Sequence, residues 1–167
     1  DLGKVMGNGY IGSVKWGANG GKWVALVPNG YQSTNNHAVL LVIDIQTGQT
    51  LRKIDTCLKN NGAPLNGQGG RCNNNAFNGL ANVTPIFDAH RNIVGAFAGD
   101  YQGNLWKFDL SSGTAANWRI DTEDPNDNSG NTPIPLFSAV DAQNKPQPIT
   151  AAPRASTHPY GGSYVII

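Results

Sequence analysis

The chain has 167 residues, enough for one ordinary domain. Charged residues make up 14%, against about 25% in typical globular chains, and the net charge is +1; polarity comes instead from Asn, Gly, Ser and Thr, as in a loop-rich β protein. No stripe of Lys and Arg is present, which argues against nucleic acid as a partner, and no apolar run approaches the ~18 residues that would insert in a bilayer.

No segment sustains a 3.6-residue apolar period, so almost no helix is expected. Asp1-Leu2-Gly3 leads toward a Gly-rich strand. Gly7-Asn8-Gly9-Tyr10-Ile11-Gly12 fits G-x-G-x-x-G, but a dinucleotide site needs a helix directly after it and an acid about 20 residues on. Ser13-Val14-Lys15-Trp16-Gly17, a Gly turn and another strand follow instead, so the match is a coincidence. A hairpin comes next. Lys22-Trp23-Val24-Ala25-Leu26-Val27 meets the turn Pro28-Asn29-Gly30-Tyr31, and the chain returns through the polar loop 32–37 as Ala38 to Ile45. Gln46-Thr47-Gly48 closes the unit, and Thr50 to Asp55 reads as its next strand.

Cys57 and Cys72 bracket a loop of Asn and Gly with little to pack. Their spacing is wrong for a CxxC redox or zinc motif. A disulfide is favoured; closing about 15 residues would contribute about 3 kcal/mol. It implies an oxidising compartment, the periplasm or cell exterior. The alternative is two unrelated thiols in a cytosolic protein.

A second copy of the repeat follows. Ile93-Val94-Gly95-Ala96-Phe97-Ala98 turns through Gly99-Asp100-Tyr101-Gln102-Gly103, returns as Asn104 to Leu110, and closes at Ser111-Ser112-Gly113. Trp118-Arg119-Ile120-Asp121 takes the place of Thr50 to Asp55. A third unit is expected to open at Pro148 to Pro153 and to include Ser163 to Ile167. The period is roughly 60–70 residues because of inserted loops; blades without inserts run about 40–50. The fold class is therefore all-β, a partial β-propeller of quinoprotein-like repeats. Its approximate blades are residues 1–56, 80–121 and 134–167, with loop insertions at 57–79 and 122–133. Three blades cannot close a ring, so the chain reads as a fragment that the rest of the propeller completes.

The three histidines, His37, His90 and His158, are scattered without metal-ligand spacing. No G-x-S-x-G elbow appears, and neither cysteine resembles an activated nucleophile, so no catalytic residue is assigned. Trp106 and Trp23 are expected in the core, while Trp16 and Trp118 flank polar loops. Tyr31, Tyr101 and Tyr160 fall at turns, where an exposed aromatic could anchor a partner. Tyr31, Tyr101 and Trp118 are the candidate partner-binding residues. Loops 32–37, 57–78 and 121–131 would present the contact surface.

The run Ala98 to Leu110 resembles the C-terminal propeller of the PilY/PilC family, type IV pilus biogenesis and tip-adhesin proteins of Gram-negative bacteria. Three further stretches carry the resemblance in order: Asp1-Leu2-Gly3; Asn29 to Ser33 followed by Ala38 to Asp44; and Gln147 to Pro153 followed by His158-Pro159. The resemblance implies a secreted, non-enzymatic module at the outer-membrane surface or pilus tip. Its partners would be pilus components and host or surface receptors, engaged in pilus biogenesis and adhesion. The family also carries a calcium site in a loop Asp-x-[Asp/Asn]-x-Asp-Gly-x-x-Asp before the Ala-Gly-Asp turn. Here the loop is Asp88-Ala89-His90-Arg91-Asn92, followed by Ile93. Asp88 and Asn92 keep ligand positions, but His90 replaces an oxygen ligand and no Gly follows Asn92, whereas calcium takes six to eight oxygens. The usual site is read as lost. Asp121, Glu123, Asp124, Asn126, Asp127 and Asn128 form the candidate for a relocated one; the bland alternative is a solvated loop of turn residues. Two other function classes stay open: a fragment of a quinoprotein (PQQ-type) dehydrogenase propeller, whose repeats resemble Asp44 to Gly48, and a lectin-like propeller that binds glycans.

Overall fold

The computed structural model describes residues 2–65, 72, 77–128, 131–157, 160 and 163–167; the expected His158-Pro159 step and most of loop 66–76 lie outside these. The described chain is all-β with one turn of 3-10 helix, Ala115–Asn117. Strands β1 (Tyr10–Trp16), β2 (Gly20–Pro28), β3 (Val39–Asp44) and β4 (Thr50–Asp55) pair in sequence order as one antiparallel meander. A second meander repeats the plan with β5 (Leu80–Phe87), β6 (Ile93–Asp100), β7 (Asn104–Asp109) and β8 (Arg119–Ile120). A parallel bridge, Val14 to Ile93, joins β1 to β6. Such up-and-down units are propeller blades.

The repeated Asp before each closing turn has a local cause. Asp44 Oδ1 accepts the Gln46 N–H at 2.9 Å, and Asp109 Oδ1 accepts the Ser111 N–H at 2.9 Å. A carboxylate that bonds the amide two residues on folds the chain into an Asx-turn. Gly48, at φ +71, then carries the left-handed step.

One core lies between the meanders. Val14, Val24, Leu26, Leu40 and Val42 pack with Leu80, Ile93, Ala96, Ala98, Trp106 and Phe108. A smaller cluster on the other side of β6 and β7 joins Phe97 and Leu105 to Ile149. Its cover comes from the segment after the acidic loop: β9 (Phe137–Ser138) pairs with β7, and Ile149 N–H donates to Asp100 O at 3.0 Å. A Cβ on Gly99 would strike Ile149, so that close approach needs glycine. The stretch expected to open a third unit, 148–153, pairs with no strand; β10 (Arg154–Thr157) and β11 (Ser163–Ile166) form a separate hairpin.

Two tryptophans exchange the places expected for them. Trp106 is fully buried as expected, but Trp23 is 63% exposed. In β2 the inward phase belongs to Val24, Leu26 and Pro28, and strand alternation sends Trp23 to the opposite face. Trp118, a candidate contact residue, is fully buried instead. The 3-10 turn before it folds back, so its indole Nε1 donates to Ser112 O at 2.8 Å and its ring lies 6.2 Å from that of Trp16. It belongs to the core and offers no surface to a partner.

Candidate functional site

Both meanders cross from their second to their third strand through a turn anchored by a buried polar residue. In the first, Asn29 Oδ1 accepts the N–H groups of Val39 (2.9 Å) and Leu80 (3.1 Å), while its Nδ2 donates to His37 O at 2.8 Å. In the second, Asp100 Oδ1 accepts the N–H groups of Gln102 (2.9 Å) and Asn104 (2.8 Å). Its Oδ2 accepts Trp106 Nε1 at 2.8 Å, Asn104 Nδ2 at 3.0 Å and Asn78 Nδ2 at 3.1 Å. Asp100 is completely buried. Burial pushes its carboxyl above the usual carboxylate range, and the indole and amide donors pull the other way.

A Tyr-Gln pair follows soon after each anchor: Tyr31-Gln32 and Tyr101-Gln102. The anchors bring the two turns against the segment entering β5. Gly30 N–H donates to Leu80 O at 3.1 Å, and Tyr101 N–H donates to Gly79 O at 3.2 Å. Gly79 has no room for a side chain, because a Cβ there would run into Gly30 O. The two tyrosine rings consequently meet, centroid to centroid, at 4.9 Å and 58°. A cleft of about 310 Å³ opens beside them, lined also by Lys4, Met6, Gln32, Phe77 and Asn78. Met6, Phe77 and Tyr101 are exposed along it. Gln32, at φ +59, holds a backbone conformation that non-glycine residues seldom adopt. Burial, the neighbouring Tyr101 and the Asp100 charge together raise the Tyr31 phenol above its ordinary value, so at neutral pH it keeps its proton as a donor.

A second exposed aromatic surface surrounds the displaced tryptophan. Tyr10, Ile11, Trp23 and Phe87 line a groove of about 530 Å³ together with His90 and Arg91. Tyr10 and Phe87 meet edge-on at 5.8 Å.

The candidate calcium ligands are engaged elsewhere. Asp88 Oδ1 accepts the N–H groups of His90 and Asn92, each at 2.9 Å, and its Oδ2 faces Asn92 Nδ2 at 3.3 Å and Lys15 Nζ at 3.5 Å. Although burial raises the Asp88 carboxyl, these bonds hold it below the ordinary range. In the acidic loop Asp121 pairs with Lys107, and Glu123 pairs with Arg119 and with Asn60 Nδ2 at 2.9 Å. Asp124 Oδ1 accepts the Asn126 N–H at 2.8 Å, Asp127 Oδ2 accepts the Thr132 N–H at 3.0 Å, and Asn128 is exposed. Among the described residues no three Asp, Glu, His or Cys side chains of either loop converge on one point.

One trio does converge. His37, Asp55 and Cys57 bring a ligand atom each within 4.8 Å of one another. His37 Nδ1 lies 3.1 Å from Asp55 Oδ2, Lys53 Nζ lies 3.6 Å from the same oxygen, and Asp55 Oδ1 accepts the Cys57 N–H at 2.9 Å. Burial would raise the Asp55 carboxyl, but the bonds from His37 and Cys57 and the nearby charges hold it below its ordinary value. Cys57 is disulfide-bonded to Cys72, as the sequence suggested, with a Cα separation of 5.3 Å.

The family model of the PilY1 beta-propeller domain matches residues 1–167, the whole chain. This chain belongs to the PilY1 β-propeller family. Membership displaces the quinoprotein reading. The chain is 35% identical over 159 residues to the type IV pilus biogenesis factor PilY1 of Pseudomonas aeruginosa strain PAO1, covering 88% of this chain and 12% of that protein. It is 36% identical over 167 residues to a PilY1 homolog of Xylella fastidiosa, covering 99% of this chain and 10% of that protein. The chain thus spans about a tenth of these curated relatives. The crystal structure of the Pseudomonas aeruginosa PilY1 C-terminal domain superposes with a TM-score of 0.75 at 32% identity, over 99% of this chain and 32% of that one. The all-β propeller expected from the repeat is the fold of this PilY1-type segment.

Within that segment, sequence reasoning named Tyr31 and Tyr101 but not their meeting, and it passed over Met6, Phe77 and the outward Trp23. The recurring Tyr-Gln after each anchor was the available signal for the cleft. For Trp23 the signal was the phase of β2.

Proposed function

We propose that this segment serves type IV pilus biogenesis and surface attachment as a binding module, with the Tyr31–Tyr101 cleft as its contact surface for pilus components or for host and surface receptors. The observation that carries the reading is the joining of two turn aromatics, one from each repeat, into one exposed cleft. Tyrosine, phenylalanine and methionine are the side chains enriched where proteins bind proteins. Lys4 gives the rim a positive charge suited to an acidic or carboxylate group. The whole-chain match to the PilY1 propeller supports the pilus context, and the disulfide suits a secreted position at the outer-membrane surface or pilus tip. The reading calls for binding and assigns no turnover. Calcium modulation is not part of it, since the Asp88 and Asp124 carboxylates bond the amides of their own turns.

The test uses the parent protein in a piliated strain. Tyr31→Ala with Tyr101→Ala should lower sheared surface pilin and attachment while parent protein abundance stays unchanged. Normal piliation and attachment at normal abundance would overturn the reading.

A further inference from the structure

We infer that the Cys57–Cys72 disulfide covers a redox-gated site for a zinc-class divalent cation, built from Cys57, His37 and Asp55 with Cys72 as a further thiolate. Three donors of different type stand within 4.8 Å of one another. Sulfur, imidazole nitrogen and carboxylate oxygen are the donor set of four-coordinate zinc and cobalt, with metal–ligand distances of about 2.0–2.3 Å. Calcium, which takes only oxygen, is excluded by the same set.

Bonds besides the disulfide position the residues that carry these donors. In the β3–β4 ladder Val39 stands opposite Asp55, and Thr56 N–H donates to Ala38 O at 3.0 Å, which fixes the residues after His37 beside those before Cys57. His37 O is tied to Asn29 Nδ2 at 2.8 Å. Cys57 is fixed by its own N–H on Asp55 and by its carbonyl, which accepts Leu65 N–H at 3.2 Å. Asp55 and Cys57 are buried, while His37 and Cys72 are half-buried and leave the site a route to solvent.

The gating step balances with a dithiol as reductant. One thiolate of the dithiol attacks the disulfide and forms a mixed disulfide; its second thiolate then releases the protein. The Cys57–Cys72 bond breaks, the dithiol leaves as its own cyclic disulfide, and the protein gains two thiols. Metal binding then displaces the thiol protons to solvent.

Cobalt(II) is the probe, because thiolate ligation gives it a charge-transfer band in the near-ultraviolet. The oxidised chain should show no such band and the reduced chain should show it at one cobalt per chain. Cys72→Ser, which leaves Cys57 as a thiol without any reductant, should also show it. Adding His37→Ala to Cys72→Ser should weaken cobalt binding by at least about tenfold. No thiolate band in either the reduced or the Cys72→Ser chain would overturn the inference. So would equal affinity with and without His37, the result expected if an opened chain merely offered loose thiols.

Discussion

Replacing Asp100 with Ala should strongly destabilise the fold through the second meander. The carboxylate satisfies the N–H of Asn104, the indole of Trp106 and the amide nitrogens of Asn104 and Asn78, all at 2.8–3.2 Å in a fully buried setting. Gln102 N–H has a second acceptor in Asn78 Oδ1 at 3.2 Å and loses less. Each buried donor left without a partner costs about 1–3 kcal/mol. Water entering the vacated space would meet some of them, so a loss of about 3–5 kcal/mol is expected. Urea unfolding followed by the fluorescence of Trp106 and Trp118 measures it. Asp100→Asn separates shape from charge. It fills the same volume but turns an NH2 toward N–H donors, and should recover only part of the loss. It also removes the charge that helps raise the Tyr31 phenol, so Tyr31 should ionise at lower pH than in the parent chain. A loss below about 1 kcal/mol for Asp100→Ala would refute the account of the turn as a buried anchor.

Trp118→Ala should cost about 3–5 kcal/mol in the same assay, whereas Trp23→Ser should stay within about 0.5 kcal/mol, because only the first leaves a cavity. Asp55 titrates below its ordinary value when folded, so its contribution is present above the unfolded pKa of about 4 and is lost as pH falls through the lower folded value. Acid unfolding of Asp55→Asn should therefore depend less steeply on pH below about 4 than that of the parent chain; parallel curves would sink the assignment. Calorimetric titration of the chelator-stripped chain should show no micromolar calcium binding, and heat abolished by Asp88→Ala or by Asp124→Ala would show that the turn geometry gives way to the ion.

The central strands of each repeat were legible because their apolar runs end at turn residues: β2, β3 and β4, then β6 and β7, lie where the repeat places them. β5 carries no such signal. Pro85 sits in its middle, and proline is tolerated there only because β5 is an edge strand paired with β6 alone among the described strands. Trp118 escaped for another reason: its burial depends on a 3-10 turn that no strand alternation anticipates. The acidic residues read as ligands because turn formers and oxygen ligands are the same residue types. Asp44, Asp55, Asp88, Asp100, Asp109 and Asp124 each bond the amide two residues on, a role that looks identical in sequence to a cation loop. Tyr31 and Tyr101, or His37 and Cys57, meet through ladder register and docking, which residue order alone does not encode.

The shared oxygen of Asn29 has a dynamic consequence. A single atom, Oδ1, holds the amide of Val39 in one meander and of Leu80 in the other. Neither amide can reach solvent deuterium by a local opening of Asn29 without releasing its counterpart. The two blades are therefore coupled in their breathing, and a fluctuation that loosens the first turn is felt at Leu80, the first residue of the second meander.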